Sequence, residues 1–180
     1  MEQLIFQQIR NELINGSVKK KHPFRFFTFG TTSGDKPMLR TVVLRKTYPD
    51  LRLEFYTDER SQKVEQVVKN NQVAAIFYHP TKLLQLQIAG SANIISDPER
   101  ISALWKTIPE HAQKDYTTSS APGAQITTPD RVEYLRGNHH FCIVEIIPET
   151  IEYLRLKRPN HIRIKFQKPK GEWKGEFLVP

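Results

Sequence analysis

Four short segments of this chain carry side chains able to hold or work on a small molecule. The first is Arg40-Thr41-Val42-Val43-Leu44-Arg45. Successive side chains of a strand face opposite sides, so the odd spacing of Arg40 and Arg45 sends them to opposite faces. One ligand could still meet both if it lay along the strand end or if the backbone bulged. Read alone, they are better taken as exposed surface arginines, as long charged side chains usually are. The second segment is Tyr56-Thr57-Asp58-Glu59-Arg60-Ser61-Gln62-Lys63. A strand ends in Tyr-Thr and a helix begins nearby, with Asp58 and Ser61 as capping candidates. A helix start offers unpaired N–H groups and partial positive charge; Ser61 adds a hydroxyl and Lys63 a full charge. That set suits a phosphate, or simply an ordinary capped helix. The third is Gln85, on the polar side of an alternating run over 83–95, where its amide can donate and accept to a ligand or to water. The fourth is His161-Ile162-Arg163, whose outer members share a strand face. A basic exposed face explains them as well, because Arg155, Lys157 and Lys165 also alternate.

The elements that must position these residues follow from hydrophobic periodicity. Leu4, Ile5, Ile9 and Leu13 predict an amphipathic helix over 2–15, ended by Asn15-Gly16. Strands are predicted over 24–31, 38–46 and 51–57. A short helix follows, with Val64, Val67 and Val68 on one face, and then strands over 72–78 and 83–95. Asp97-Pro98-Glu99 opens another helix. Residues 117–129 read as a loop, 130–136 as a short helix, and 141–147, 150–157, 161–167 and 172–179 as closing strands. Alternating βαβ order is absent. The fold class is therefore mainly β with flanking helices: one domain over 1–180, an antiparallel sheet closed into a barrel with helices outside.

Composition narrows the partners. Hydrophobic residues make up 38% of the chain and charged residues 26%, which argues against disorder. The net charge of +8 favours anionic partners. No apolar run is long enough to span a bilayer. Cys142 is the only cysteine, so no intrachain disulfide forms, and a reducing cytoplasmic setting is expected. No metal site is expected, since no two of the six histidines stand four apart. A nucleic-acid-binding barrel could use Phe24, Phe26, Phe27 and Phe29 as a stacking platform. That reading is the weaker one, because these rings divide between two strand faces and the basic residues form no single stripe.

Taken together, the order and spacing of the four segments resemble the pyridoxamine 5′-phosphate oxidase family, over nearly the whole stretch from Arg40 to Pro180. The family's Arg-x-Val-Leu-Leu-Lys strand matches Arg40–Arg45, its Tyr-Thr matches Tyr56-Thr57, and its Ser-Arg-Lys matches Ser61-Gln62-Lys63. A glutamine five residues before a glycine matches Gln85 and Gly90. The Arg-x-His-x-Arg motif keeps only His161 and Arg163. The closing Trp and Leu-x-Pro match Trp173 and Leu178-Val179-Pro180. The resemblance implies an FMN-binding split barrel. It implies cofactor contacts from Arg40, Thr41, Val42, Val43, Leu44, Arg45, Tyr56, Thr57, Ser61, Gln62, Lys63, Gln85 and Arg163, with His161 facing the substrate as the catalytic candidate. It further implies a homodimer with FMN between subunits, and oxidation of a small, phosphorylated substrate such as a B6 vitamer, with oxygen as acceptor. This chain departs from the pattern at Gln62, where the family has arginine. The family tryptophan that packs on FMN falls near Tyr153 or Leu154. Residues 105–120, where the family holds its substrate's phosphate, contain no arginine. Those departures keep open an FMN-binding protein or flavin reductase with another substrate.

Overall fold

The computed structural model describes the backbone of residues 1–180 and every side chain except that of Lys170. Period-two burial dominates: along β5 (Gln72–His79) exposed and buried residues alternate without a break, the pattern of a sheet with one face on the core. The helix α1 (Glu2–Val18) comes first. It leads through a 3-10 turn at Pro23–Arg25 into β1 (Phe26–Ser33), β2 (Lys36–Val43) and β3 (Lys46–Thr47). Then come β4 (Leu53–Asp58), α2 (Gln62–Lys69), β5 and β6 (Leu84–Ile95). Two helices, α3 (Pro98–Trp105) and α4 (Glu110–Gln113), precede β7 (Phe141–Arg155), β8 (Ile162–Gln167) and β9 (Lys174–Leu178).

All strand pairs are antiparallel, in the order β2-β1-β5-β6-β7-β4-β3, with β8 and β9 added beyond β7. The sheet is not the closed hydrogen-bonded ring expected from sequence. Its two ends, β2 and β3, are consecutive in the chain, and the chain itself joins them. Leu44 N–H donates to Arg25 O (2.8 Å), still on the β1 side, and Arg45 N–H donates to Glu54 O (2.8 Å), already on the β4 side. The barrel is thus split at Leu44-Arg45. Inside it, Phe27 stacks on Phe77 (4.6 Å) and Phe29 packs on Phe55 (4.9 Å). Phe24 packs on Phe77 as well. Only Phe26 of the early phenylalanines is exposed, at 58%, so no stacking platform for nucleic-acid bases exists there. A second, smaller core forms where α3 and the 3-10 turn at Lys114–Tyr116 cover β7 and β4, around Tyr116, Phe141 and Ile143.

Three boundaries and one helix face differ from expectation, each for a local reason. Strands 141–147 and 150–157 are one strand, because Pro148 falls opposite Gly90 where the β6–β7 register shifts, a place that tolerates proline. A Cβ on Gly90 would stand 2.1 Å from Ile147 O, so only glycine permits that crossing. The helix expected over 130–136 is a single turn at Pro129–Arg131, since Tyr134 bridges to Thr118 and Leu135 N–H donates to Thr117 O (2.6 Å). Val68 is 73% exposed, and Gln66 takes the buried place beside Val64 and Val67. Finally, α1 runs through Asn15-Gly16 to Val18. Gly16 does not end the helix. It lets Phe24 lie against it: a Cβ there would sit 2.7 Å from Phe24 Cβ and 2.9 Å from Phe24 O.

Glycine-to-alanine changes inside helices normally add about 0.5–1 kcal/mol of stability. Gly16→Ala is expected to do the reverse and cost about 1–3 kcal/mol by overpacking, read as a lower midpoint in chemical denaturation.

Candidate functional site

At one mouth of the barrel, beside α2, two cations stand together. Arg40 follows the inward face of β2, shared with buried Val42. Its NH1 donates to Thr31 Oγ1 (2.6 Å) and Met38 O (3.1 Å), and its NH2 to Gln66 Oε1 (2.9 Å). Thr31 Oγ1 also donates to Gln66 Oε1 (2.6 Å), so strand, hairpin and helix all fix this guanidinium. Lys63, in the first turn of α2, donates from Nζ to Thr57 Oγ1 (2.9 Å). Thr57 Oγ1 lies 3.3 Å from Ser61 Oγ. Ser61 is the N-cap residue but makes no side-chain cap bond, so its hydroxyl has Thr57 Oγ1, the acceptor of Lys63, as its neighbour. Among the described residues no ion pair includes Arg40 or Lys63.

The electrostatics follow from that arrangement. Burial lowers the pKa of Arg40. Burial first, and the nearby Arg40 charge second, lower that of Lys63, with Asp58 opposing. Two positive groups, a pair of hydroxyls and the free amides of a helix start converge where no carboxylate neutralises them. This donor set fits a phosphate.

Arg45 leaves on the opposite face, as its odd spacing requires. Its Cζ lies 5.4 Å from the centre of the Tyr56 ring. Tyr116 faces the same guanidinium, whose charge opposes the upward push of burial on its hydroxyl. Burial, helped by Glu54, pushes the Tyr56 hydroxyl up to about 12, so it stays a donor throughout the neutral range. Arg45 Nε is buried and without a hydrogen-bond partner. An orphaned donor of this kind calls for an acceptor from a ligand or water.

The remaining expected contacts lie on the outer face of the sheet. Register places Tyr78, Gln85, Leu154, Arg163 and Leu178 in one row across β5 to β9. Arg163 pairs with Glu152 through Nε and NH2, both at 2.9 Å. Leu154, not the core residue Tyr153, occupies the outer row. His161 is exposed just before β8 and accepts from Lys157 N–H at Nδ1 (3.1 Å). Within one chain, then, Arg40, Thr57, Ser61 and Lys63 come together, and Arg45 joins Tyr56. Gln85, His161 and Arg163 belong to a separate outer surface. Val42 and Leu44 point into the core, so only their backbone can meet a ligand. Thr41 and Gln62 are exposed, and Val43 is half-buried.

Sequence reasoning missed Thr31 and Gln66, which hold Arg40. Neither stands in a motif; the only hint was a glutamine on the valine face of a helix. It also missed that Glu12, His22 and His79 gather with ligand atoms within 4.8 Å of one another. Their bonding does not suit a metal. His22 Nδ1 accepts from Phe24 N–H (3.1 Å) and His79 Nδ1 from Lys82 N–H (3.4 Å). With Nδ1 accepting, the neutral His22 ring carries its proton on Nε2, the atom 3.1 Å from Glu12 Oε2, and the Lys82 ammonium already sits on the Glu12 carboxylate.

Residues 2–96, just over half the chain, match the family described as pyridoxamine 5′-phosphate oxidase, FMN-binding domain. The pyridoxine/pyridoxamine 5′-phosphate oxidase of Psychrobacter cryohalolentis is 26% identical over 168 residues, covering 93% of this chain and 67% of that one. That of Psychrobacter arcticus is 27% identical over 123 residues, 68% of this chain, and the chain spans only 55% of its length. Among solved structures, a pyridoxamine 5′-phosphate oxidase-related, FMN-binding protein of Nostoc punctiforme superposes with a TM-score of 0.79 at 24% identity, over 97% of both chains. PhzG of Burkholderia lata, solved with tetrahydrophenazine-1-carboxylic acid, gives 0.79 at 15% identity, over 98% of this chain and 92% of that one. Both likenesses concern the fold.

A protonated Lys63 favours a bound phosphate, and its pKa is depressed, so affinity should fall as pH rises through a range below that of an ordinary lysine. FMN titrations by flavin fluorescence are expected to show that loss on the alkaline side. Lys63→Arg, always charged, is expected to keep the affinity flat over the same range.

Proposed function

This chain belongs to the FMN-binding pyridoxamine 5′-phosphate oxidase family, and on that premise we propose that it works as a homodimeric FMN oxidoreductase acting on a small substrate with oxygen as acceptor. The observation that carries the reading is the Arg40–Lys63 pair, held by neutral acceptors alone and ready for a phosphate tail.

In this reading Arg40 and Lys63 neutralise the phosphate, and the Thr57 and Ser61 hydroxyls complete its hydrogen bonds. Bound FMN supplies two-electron chemistry at its flat ring. Gln85 offers both donor and acceptor to the edge of such a ring, and Arg163 offers positive charge beside it. In one chain these two residues lie on the outer face, away from the phosphate grip, so both sets can serve one cofactor only when a second copy packs there. The same outer face supplies the surface for packing. Leu39 (71% exposed), Phe26, Ile76 and Tyr78 are exposed apolar residues of β2, β1 and β5, with Tyr78 directly opposite Gln85. An isologous dimer would cover them.

The substrate would lie near Arg45, Tyr56 and Tyr116, where a half-buried cation, a lone buried donor and a hydroxyl face aromatic surface. Arg45 would bind an anionic group, and the Tyr56 and Tyr116 hydroxyls, protonated at neutral pH, would donate to it. His161, which lies on the outer surface with Gln85 and Arg163, would reach the substrate from the second copy. A B6 vitamer phosphate is one candidate. The lack of any arginine over 105–120 favours a second reading, a flavoprotein or flavin reductase with a different substrate.

Purified protein is expected to be yellow, to release FMN on denaturation and to sediment as a dimer. Peroxide production from pyridoxamine 5′-phosphate or pyridoxine 5′-phosphate supports the oxidase. Bound FMN without peroxide from either supports the second reading, and colourless protein that ignores added FMN contradicts both.

A further inference from the structure

The family's arginine after the serine is Gln62 here, yet an arginine stands on the other side of that serine, at position 60. Arg60 does not replace the missing anion contact, because each of its nitrogens is already engaged. Nε donates to Asp58 Oδ1 (3.1 Å) and NH2 to Asp58 Oδ2 (2.7 Å), a two-pronged grip on one carboxylate. Past the carboxylate, NH2 also meets Thr118 O (2.8 Å) and Ser120 O (3.3 Å), and NH1 donates to Ser119 O (3.0 Å). Three consecutive carbonyls of the 117–129 loop therefore hang on one guanidinium.

Asp58 is the acid that matters for the phosphate grip. It is 4% exposed and follows Thr57 directly. Its charge already bears on Lys63, and its carbonyl accepts from Ser61 N–H (3.1 Å). Without the guanidinium this carboxylate, left with only the Arg60 backbone N–H (2.8 Å), would draw Lys63 away from the phosphate and repel the phosphate itself. A buried charge left unpaired by loss of its partner is strongly unfavourable, so it would seek the nearest remaining cation. Arg60 prevents this, and the same contact fastens the loop beside Ser61.

We propose that Arg60 is a positioning residue: by neutralising Asp58 it keeps Lys63 free for the cofactor's phosphate, and by holding Thr118 to Ser120 it locks the neighbouring loop against the same turn. The proposal rests on the phosphate reading of Arg40 and Lys63. It explains how a chain without the family's second phosphate arginine keeps its site electropositive: the acid beside the site is masked.

The test compares FMN with riboflavin, which has the same ring without the phosphate, by flavin fluorescence titration. Wild-type protein is expected to prefer FMN. In Arg60→Met, FMN affinity is expected to fall on the order of tenfold or more, the scale of one lost charged hydrogen bond, while riboflavin affinity holds. In Asp58→Asn/Arg60→Met no bare acid remains, and the preference for FMN is expected to return. Arg60→Lys keeps a charge on Asp58 but cannot span three carbonyls. It is expected to retain the preference while tryptic cleavage at Arg131 becomes faster than in wild type. An Arg60→Met variant that still prefers FMN as wild type does, or that loses both ligands equally, would overturn the proposal. So would a double variant no better than the single one. Should Arg60→Met fail to fold, the Arg60→Lys arm decides, and loss of FMN preference there counts against it. A wild-type protein indifferent to the phosphate fails the reading beneath the proposal, and is distinguishable from all of these.

Discussion

Two like charges brought together under partial burial are unfavourable unless something negative joins them. In this protein Arg40 and Lys63 are such a pair, and the fold supplies only neutral oxygens to hold them. Thr31, Gln66 and the carbonyl of Met38 orient the guanidinium, and Thr57 orients the ammonium. None of these cancels a charge. The site is therefore preorganised for an anion, and its donors need little rearrangement when one arrives. Such a ligand also stabilises the folded chain by mass action, since an unfolded chain has no comparable site.

The barrel's split gives this constraint its geometry. Where the chain passes from the β1 side to the β4 side, at Leu44-Arg45, it carries one arginine inward to Thr31 and Gln66 and the other outward to Tyr56 and Tyr116. A single six-residue segment thus faces two chemical environments. One is a cationic mouth with hydroxyls. The other is a half-buried arginine among aromatic rings of the smaller core, stiffened by the Tyr48, Glu54 and Arg100 contacts that tie α3 to β4. The outer row of Gln85, Leu154 and Arg163 is a third surface, separated from both within one chain. In the proposed homodimer, a second copy would bring that surface to the other two.

Much of this was legible in the sequence, because alternation is a direct consequence of a sheet with one buried face. The strands around Gln85 followed from Leu84, Leu86 and Ile88, and the opposite directions of Arg40 and Arg45 followed from counting. The Arg40–Lys63 site was legible only in part. Lys63 and Ser61 announce themselves at a helix start. Thr31 and Gln66 do not, because a threonine in a strand and a glutamine in a helix are commonplace, and only the folded chain brings positions 31, 40 and 66 together. Gly16 misled for the opposite reason: glycine after asparagine usually ends a helix, but here close approach of Phe24, not a turn, demands it. Pro148 read as a break between strands because proline cannot donate to a ladder. The register shift opposite Gly90 removes that demand. The roles of Val42 and Leu44 needed the structure as well, since a motif does not say which of its side chains belong to the core.

The central claim is that Arg40 and Lys63 bind a phosphate as its fully charged form. Phosphorus NMR of the FMN-loaded protein tests this most directly. A free phosphate monoester titrates with a midpoint of about pH 6. One bound resonance is expected at the dianion position, unmoved across that midpoint and shifted in Lys63→Met. A bound resonance that titrates like free FMN would contradict the claim.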